Sequence, residues 1–153
     1  MEENILNILR VMVVDDQRSM RMIVRSLLNE EGISQVTEAG DGAEALQLIE
    51  GADNPPDVVI CDLHMEGMDG LEFCQQVRMS KNKSIKDLRI IMLTGDKDRM
   101  MREISSQVGA VAVLHKPVSA EVLASEVAKA VDLDWHEECA KVTVHSAEHS
   151  TVH

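Results

Sequence analysis

Val11-Met12-Val13-Val14-Asp15-Asp16 is an unbroken β-rich run that stops on two adjacent carboxylates, and its form returns along the chain. Val58 to Cys61 stops at Asp62, Leu88 to Leu93 at Thr94-Gly95, and Val111 to Leu114 shortly before Lys116-Pro117. Apolar runs without polar alternation suit strands buried on both faces, as in a parallel sheet covered by helices. The intervening segments carry helical spacing. Ser19 is placed to cap a helix bearing Met20, Ile23, Val24, Leu27 and Leu28, which Gly32 closes. Gln35 to Glu38 reads as another strand, Asp41-Gly42 opens a helix with Ala43, Leu46 and Ile49, and Pro55-Pro56 ends that unit. Met68-Asp69-Gly70 turns into a helix with Leu71, Cys74 and Val77, followed by a polar loop from Ser80 to Lys86. A helix around Met100, Ile104 and Val108 leads to Gly109, and Ser119 caps a last helix through Val122, Leu123, Val127 and Val131. Strict strand-helix alternation predicts an α/β fold, a doubly wound five-stranded parallel sheet with right-handed crossovers and helices on both faces.

Ligands of such sheets collect in the crevice outside the carboxyl ends of the strands. Asp15, Asp16, Asp62, Thr94 and Lys116 are therefore expected to converge. Clustered carboxylates repel one another and favour a cation or a proton between them. A divalent ion with oxygen ligands, Mg²⁺ with Mn²⁺ as a substitute, suits such a set, and leaves room for an incoming phosphoryl group. Lys116 is a compact counter-ion, Thr94 offers a hydroxyl donor, and Gly95 permits close backbone approach. Pro117 makes the preceding peptide bond a candidate for the cis form.

Composition narrows the function classes. Fifteen Lys and Arg stand against 27 Asp and Glu, a formal charge of -12, which argues against nucleic-acid and anionic-membrane partners. An aromatic content of 1% leaves no set of rings on which bases could stack. Cys61, Cys74 and Cys139 have no metal-ligand spacing and read as reduced thiols. The acidic start of the chain does not resemble a secretory signal, so a cytoplasmic location is expected.

Taken one at a time, these residues have plain structural readings: a solvated strand end, a turn cap, a β-branched strand terminus, a surface lysine before a turn. In register they resemble the response-regulator receiver domains of two-component signalling. Val13-Val14-Asp15-Asp16, Asp62-Leu63-His64-Met65, Met68-Asp69-Gly70, Thr94-Gly95 and Lys116-Pro117 follow that family's order and spacing across Arg10 to Val131. Ser19-Met20-Arg21-Met22-Ile23-Val24-Arg25 is further similar to the first helix of single-domain chemotaxis regulators. The resemblance implies a flavodoxin-like strand order of 2-1-3-4-5. It makes Asp62 the phosphoacceptor, and Asp16, Asp62 and the His64 backbone carbonyl metal ligands, with Asp15 a ligand through water. Thr94, Gly95 and Lys116 would contact the phosphoryl group. It also implies a histidine kinase or phosphotransfer protein as donor and a downstream protein as target, the chain being a monomer or weak dimer and not an enzyme on outside substrates.

Two positions depart from the family pattern. Val113 stands where a fifth-strand aromatic usually turns inward, so signalling is expected to rely on the loop after Thr94 and on helix movement. Glu66 stands where a proline is common, which predicts a looser, more acidic loop after Asp62. Residues 1–9 read as an extension in which Ile5, Leu6, Ile8 and Leu9 form an extra helical turn, 10–131 as the receiver, and 132–153 as an acidic, disordered, His-containing tail with no effector domain. His145, His149 and His153 lie four apart, but the valines, threonine and serines around them make poor helix, which disfavours a zinc site. A receiver fragment of a longer regulator or hybrid kinase, a metal-dependent phosphatase, and an adaptor that never needs phosphate are the alternatives. His64 and Asp96, each two residues beyond a site residue, are expected to control access of hydrolytic water. Replacing them (His64→Asn, Asp96→Ala) should change the dephosphorylation rate of the labelled protein, and unchanged decay in both would remove that role.

Overall fold

The computed structural model describes residues 5–95 and 99–131. Five parallel strands, β1 (Arg10–Val14), β2 (Gln35–Ala39), β3 (Val58–Asp62), β4 (Arg89–Thr94) and β5 (Ala112–His115), form one sheet in the order β2-β1-β3-β4-β5. Six helices connect and cover them: α1 (Arg18–Glu30), α2 (Gly42–Gly51), α3 (Gly70–Arg78), α4 (Lys83–Lys86), α5 (Arg99–Gln107) and α6 (Ala120–Val131). The strand order reverses between β1 and β3, and that switch point opens the crevice beyond Val14 and Asp62.

The period-two alternation of strand side chains divides the core in two. Met12 and Val14 of β1, Val59 and Cys61 of β3, and Ile90 and Met92 of β4 face Ala45 and Ile49 of α2 and Phe73, Cys74 and Val77 of α3. Val11, Val13, Val58, Ile60, Ile91 and Leu93 face Val24 and Leu28 of α1 and Leu123 and Val127 of α6. All five residues of the central strand β3 are buried, which is why its sequence shows no alternation. A 3₁₀ turn, Ile5–Asn7, precedes β1, and Leu6 and Leu9 join the α1/α6 core. Among the described residues no helix is long and apolar enough to cross a membrane.

Local chemistry moves some boundaries from those expected. Helix α1 starts at Arg18, so Ser19 lies inside it and is not its cap. The Asp15 carboxylate accepts the Gln17 N–H at 2.8 Å and orders the turn one residue earlier. The segment Ser80 to Lys86 is not all loop. Ser80 Oγ accepts the Asn82 N–H at 3.1 Å, the Asn82 side chain accepts the Ser84 N–H at 2.9 Å, and buried Ile85 anchors the single turn α4. Ser119 does cap α6, its Oγ accepting the Val122 N–H at 3.1 Å. The Asp132–His153 tail, with its histidines, lies outside the described residues, as does Asp96.

The first turn of α3 is pressed onto the end of β3. Asp69 caps it by accepting the Glu72 N–H at 2.9 Å, and Gly70 donates to the Leu63 carbonyl at 3.0 Å. A Cβ on Gly70 would stand 2.6 Å from the Asp62 carbonyl oxygen and 2.8 Å from Met92 Sδ, one of them rigid backbone. Gly70→Ala should therefore destabilise the protein by about 2 kcal/mol, read as a lowered urea midpoint. An unchanged midpoint would contradict the close packing.

Candidate functional site

Asp15, Asp16, Asp62, Thr94 and Lys116 arrive at the crevice on or just beyond the ends of β1, β3, β4 and β5. Each carboxylate of Asp15, Asp16 and Asp62 offers an oxygen within 4.8 Å of the others. Asp15 and Asp62 are buried and Asp16 is exposed, so the cluster opens to solvent on the Asp16 side. Lys116 Nζ lies 2.8 Å from Asp62 Oδ1 and 3.9 Å from Asp15 Oδ2. Burial pushes the Asp15 carboxyl above its usual range, and the charges of Asp62 and Asp16 push the same way, against the Gln17 N–H and the Lys116 ammonium.

The backbone holds these groups in place. Asp15 donates its N–H to the Ala39 carbonyl at 3.1 Å, extending the β1/β2 ladder by one bond. The Lys116 N–H donates to the Thr94 carbonyl at 2.8 Å, locking the lysine to the end of β4, and the Lys116–Pro117 peptide is cis. Thr94 is 1% exposed, next to exposed Gly95. His64 is exposed in the turn after Asp62. Val113, opposite Met92 in the register, is half-buried against the α2/α3 face of the core.

The loop after Asp62 carries a tie that the reading of Glu66 did not foresee. The Glu66 N–H donates to Asp16 Oδ2 at 3.0 Å, a bond that a proline in its place has no hydrogen to make. Other contributions were not foreseen either. Arg21 Nη1 donates to the Asp15 carbonyl at 2.6 Å while its Nε bonds Glu38 Oε1 at 2.9 Å. Burial alone would raise the Glu38 carboxyl, but hydrogen bonds from Arg21 and Arg25 bring it below its usual range. Beside Thr94 in the register, His115 keeps Nε2 buried without a hydrogen-bond partner among the described residues.

Three oxygen-donating carboxylates at this separation, one of them solvent-facing, fit a hard divalent cation such as Mg²⁺, which binds through few protein ligands and keeps several waters. Among the described residues the cluster includes no cysteine, and Cys61, next to Asp62, is buried within β3.

Known proteins resemble this chain in sequence and in fold. The family profile described as response regulator receiver domain matches residues 11–128. The chain is 34% identical over 119 residues to a probable chemotaxis protein CheY of Rhizobium etli, covering 78% of this chain and 89% of that one. It is 41% identical over 114 residues to the response regulator MprA of a Mycobacterium species, covering 74% of this chain and 46% of the relative. Among solved structures, the Vibrio cholerae chemotaxis protein CheY4 superposes with a TM-score of 0.70 at 34% identity, covering 80% of this chain and 98% of that one.

The two thiols on the α2/α3 side are kept out of chemistry. Burial pushes Cys61 well above the usual thiol range, helped by the charge of neighbouring Asp62, and burial also raises Cys74 against the pull of Arg78. The thiolate is the reactive form. Iodoacetamide at pH 8 should therefore leave the Cys61 and Cys74 peptides unmodified in the folded protein and label both in urea. Rapid labelling of either without denaturant would contradict this burial.

Proposed function

The chain belongs to the response regulator receiver domain family of two-component signalling, and on that footing we propose that it is a switch accepting a phosphoryl group on Asp62 from a histidine kinase or phosphotransfer protein. The observation that carries this reading is the pairing of Lys116 with Asp62 at 2.8 Å inside a carboxylate cluster open to solvent at Asp16. An aspartate is a poor nucleophile toward a phosphoryl group because both partners are anionic, and offsetting that repulsion is the task of the surrounding groups.

Asp16, Asp62, the His64 backbone carbonyl and, through water, Asp15 would hold Mg²⁺, which when bound supplies the charge neutralisation that lets two anions meet. An Asp62 carboxylate oxygen forms the new bond to phosphorus as the bond to the donor breaks, and the leaving group departs with that electron pair. Lys116 then exchanges its carboxylate partner for a phosphoryl oxygen, and the Thr94 hydroxyl donates to another. Gly95 adds no side chain that would obstruct approach. His64 and Asp96, two residues beyond Asp62 and Thr94, govern the access of hydrolytic water.

Because Lys116 and Thr94 are joined by a backbone bond, a displacement of one draws on the other. The bound phosphoryl group favours the arrangement that meets both, and so shifts the population of conformers in the loop after Thr94 and in α5. Val113 offers no large ring to swing, so the signal reaches a downstream protein through that loop and helix. The same valine favours a second reading, an adaptor whose partner binding ignores phosphate and would survive Asp62→Ala.

Acetyl phosphate treatment followed by intact-mass measurement tests the phosphoacceptor. One phosphoryl increment is expected on the wild type with Mg²⁺, none after chelation, and none on Asp62→Ala. An increment retained by Asp62→Ala, or absent from the wild type with metal, would overturn the assignment.

A further inference from the structure

We infer that Arg21, braced by Glu38, is a positioning residue that presents the Asp15-Asp16 pair to the divalent cation. The inference rests on the reading of that pair as a cation site, and adds a residue that lies on α1 and touches neither the cation ligands' carboxylates nor the phosphoacceptor.

Asp15 and Asp16 lie past the end of β1, in the short turn before α1, where the sheet no longer holds both sides of the backbone. The Asp15 N–H is taken by the Ala39 carbonyl at 3.1 Å. Its own carbonyl, directly before Asp16, has left the ladder, and Arg21 Nη1 meets it at 2.6 Å. The peptide groups on either side of the Asp15 Cα are thus both held, one from β2 and the other from α1. Asp15 Oδ1 accepts the Gln17 N–H at 2.8 Å and Asp16 Oδ2 accepts the Glu66 N–H at 3.0 Å, so each carboxylate is also oriented from its own side.

Arg21 is itself fixed. Its Nε donates to Glu38 Oε1 at 2.9 Å, and the other Glu38 oxygen accepts from Arg25 Nε at 2.9 Å and lies 2.8 Å from Arg25 Nη2. Glu38 lies within β2, next to its last residue and paired with Val13 of β1, so the brace is anchored in the sheet rather than in a loop. The Arg21 side chain is 17% exposed and that of Glu38 26%, more sheltered than the Arg10 side chain at 39% in its pair with Asp57. Guanidinium suits this task because its planar fork bonds a carboxylate and a carbonyl at once. A lysine keeps the charge but not the fork.

Partners that orient metal ligands typically contribute a factor of ten or more to metal affinity, and one acting through backbone belongs at the low end of that range. Titration calorimetry with Mg²⁺ on the full chain, with a urea midpoint for each variant, tests the inference. Arg21→Ala should bind Mg²⁺ roughly tenfold more weakly, Arg21→Lys should fall between, and Glu38→Gln should weaken binding in the same direction. Adding Glu38→Gln to Arg21→Ala should cause no further loss, because the glutamate acts through the arginine. Arg10→Ala, which removes a guanidinium at the other end of β1, should bind as the wild type does. Labelling by acetyl phosphate should slow in Arg21→Ala at low Mg²⁺ and recover at saturating Mg²⁺.

Wild-type Mg²⁺ affinity in Arg21→Ala, whatever its urea midpoint, would overturn the inference and leave the cation site standing. If Arg21→Ala fails to fold, wild-type affinity in both Arg21→Lys and Glu38→Gln overturns it equally. A wild type whose Mg²⁺ binding is absent or indifferent to Asp16→Ala would remove the cation-site reading itself, and this inference with it.

Discussion

Mutual repulsion among Asp15, Asp16 and Asp62 is the constraint on which the rest of the molecule turns. Two like charges about 4 Å apart oppose each other by about 4 kcal/mol at the effective dielectric of a protein surface. Three oxygens within 4.8 Å of one another are a costly arrangement to fold around, and burial of two of the three residues adds to the cost. Lys116 at 2.8 Å from Asp62 compensates part of it, and the Gln17 and Glu66 amides donate to Asp15 and Asp16. What remains uncompensated is an acidic cluster whose oxygen donors fit a divalent cation.

Topology brings these groups together. Parallel strands all end on one side, and the reversal of order between β1 and β3 opens the crevice beside Asp15, Asp16 and Asp62. Strands β4 and β5 extend the same edge, so Thr94 and Lys116 complete it from residues far away in the chain. The double-sided core makes this edge stiff. Helices α2 and α3 fill one face and α1 and α6 the other, so a displacement at the crevice cannot be absorbed by loose packing beneath it.

Much of this was legible because it is written in local pattern. Val58 to Cys61 lacks alternation because both faces of β3 are covered, and Asp41, Asp69 and Ser119 cap helices through bonds that span three residues. The site residues could be picked out because each follows an apolar run. What escaped was tertiary or carried by backbone. Arg21 reads as one more charged residue of an amphipathic helix until β2 brings Glu38 to it and β1 brings the Asp15 carbonyl. Glu66 drew notice for standing where a proline is common, but the bond its amide makes to Asp16 depends on a partner far away in the chain. Helix α4 has a single turn, too short for any periodicity to register.

Manganese broadening of backbone amide resonances tests the central claim most directly, since Mn²⁺ takes the same oxygen ligands and its effect falls steeply with distance. Substoichiometric Mn²⁺ should erase the amides of Asp15, Asp16, Asp62 and His64 first, spare Arg10 and Asp57 at the other end of the sheet, and be displaced by Mg²⁺. Broadening spread over the acidic surface, or centred away from β1 and β3, would contradict a shared cation site.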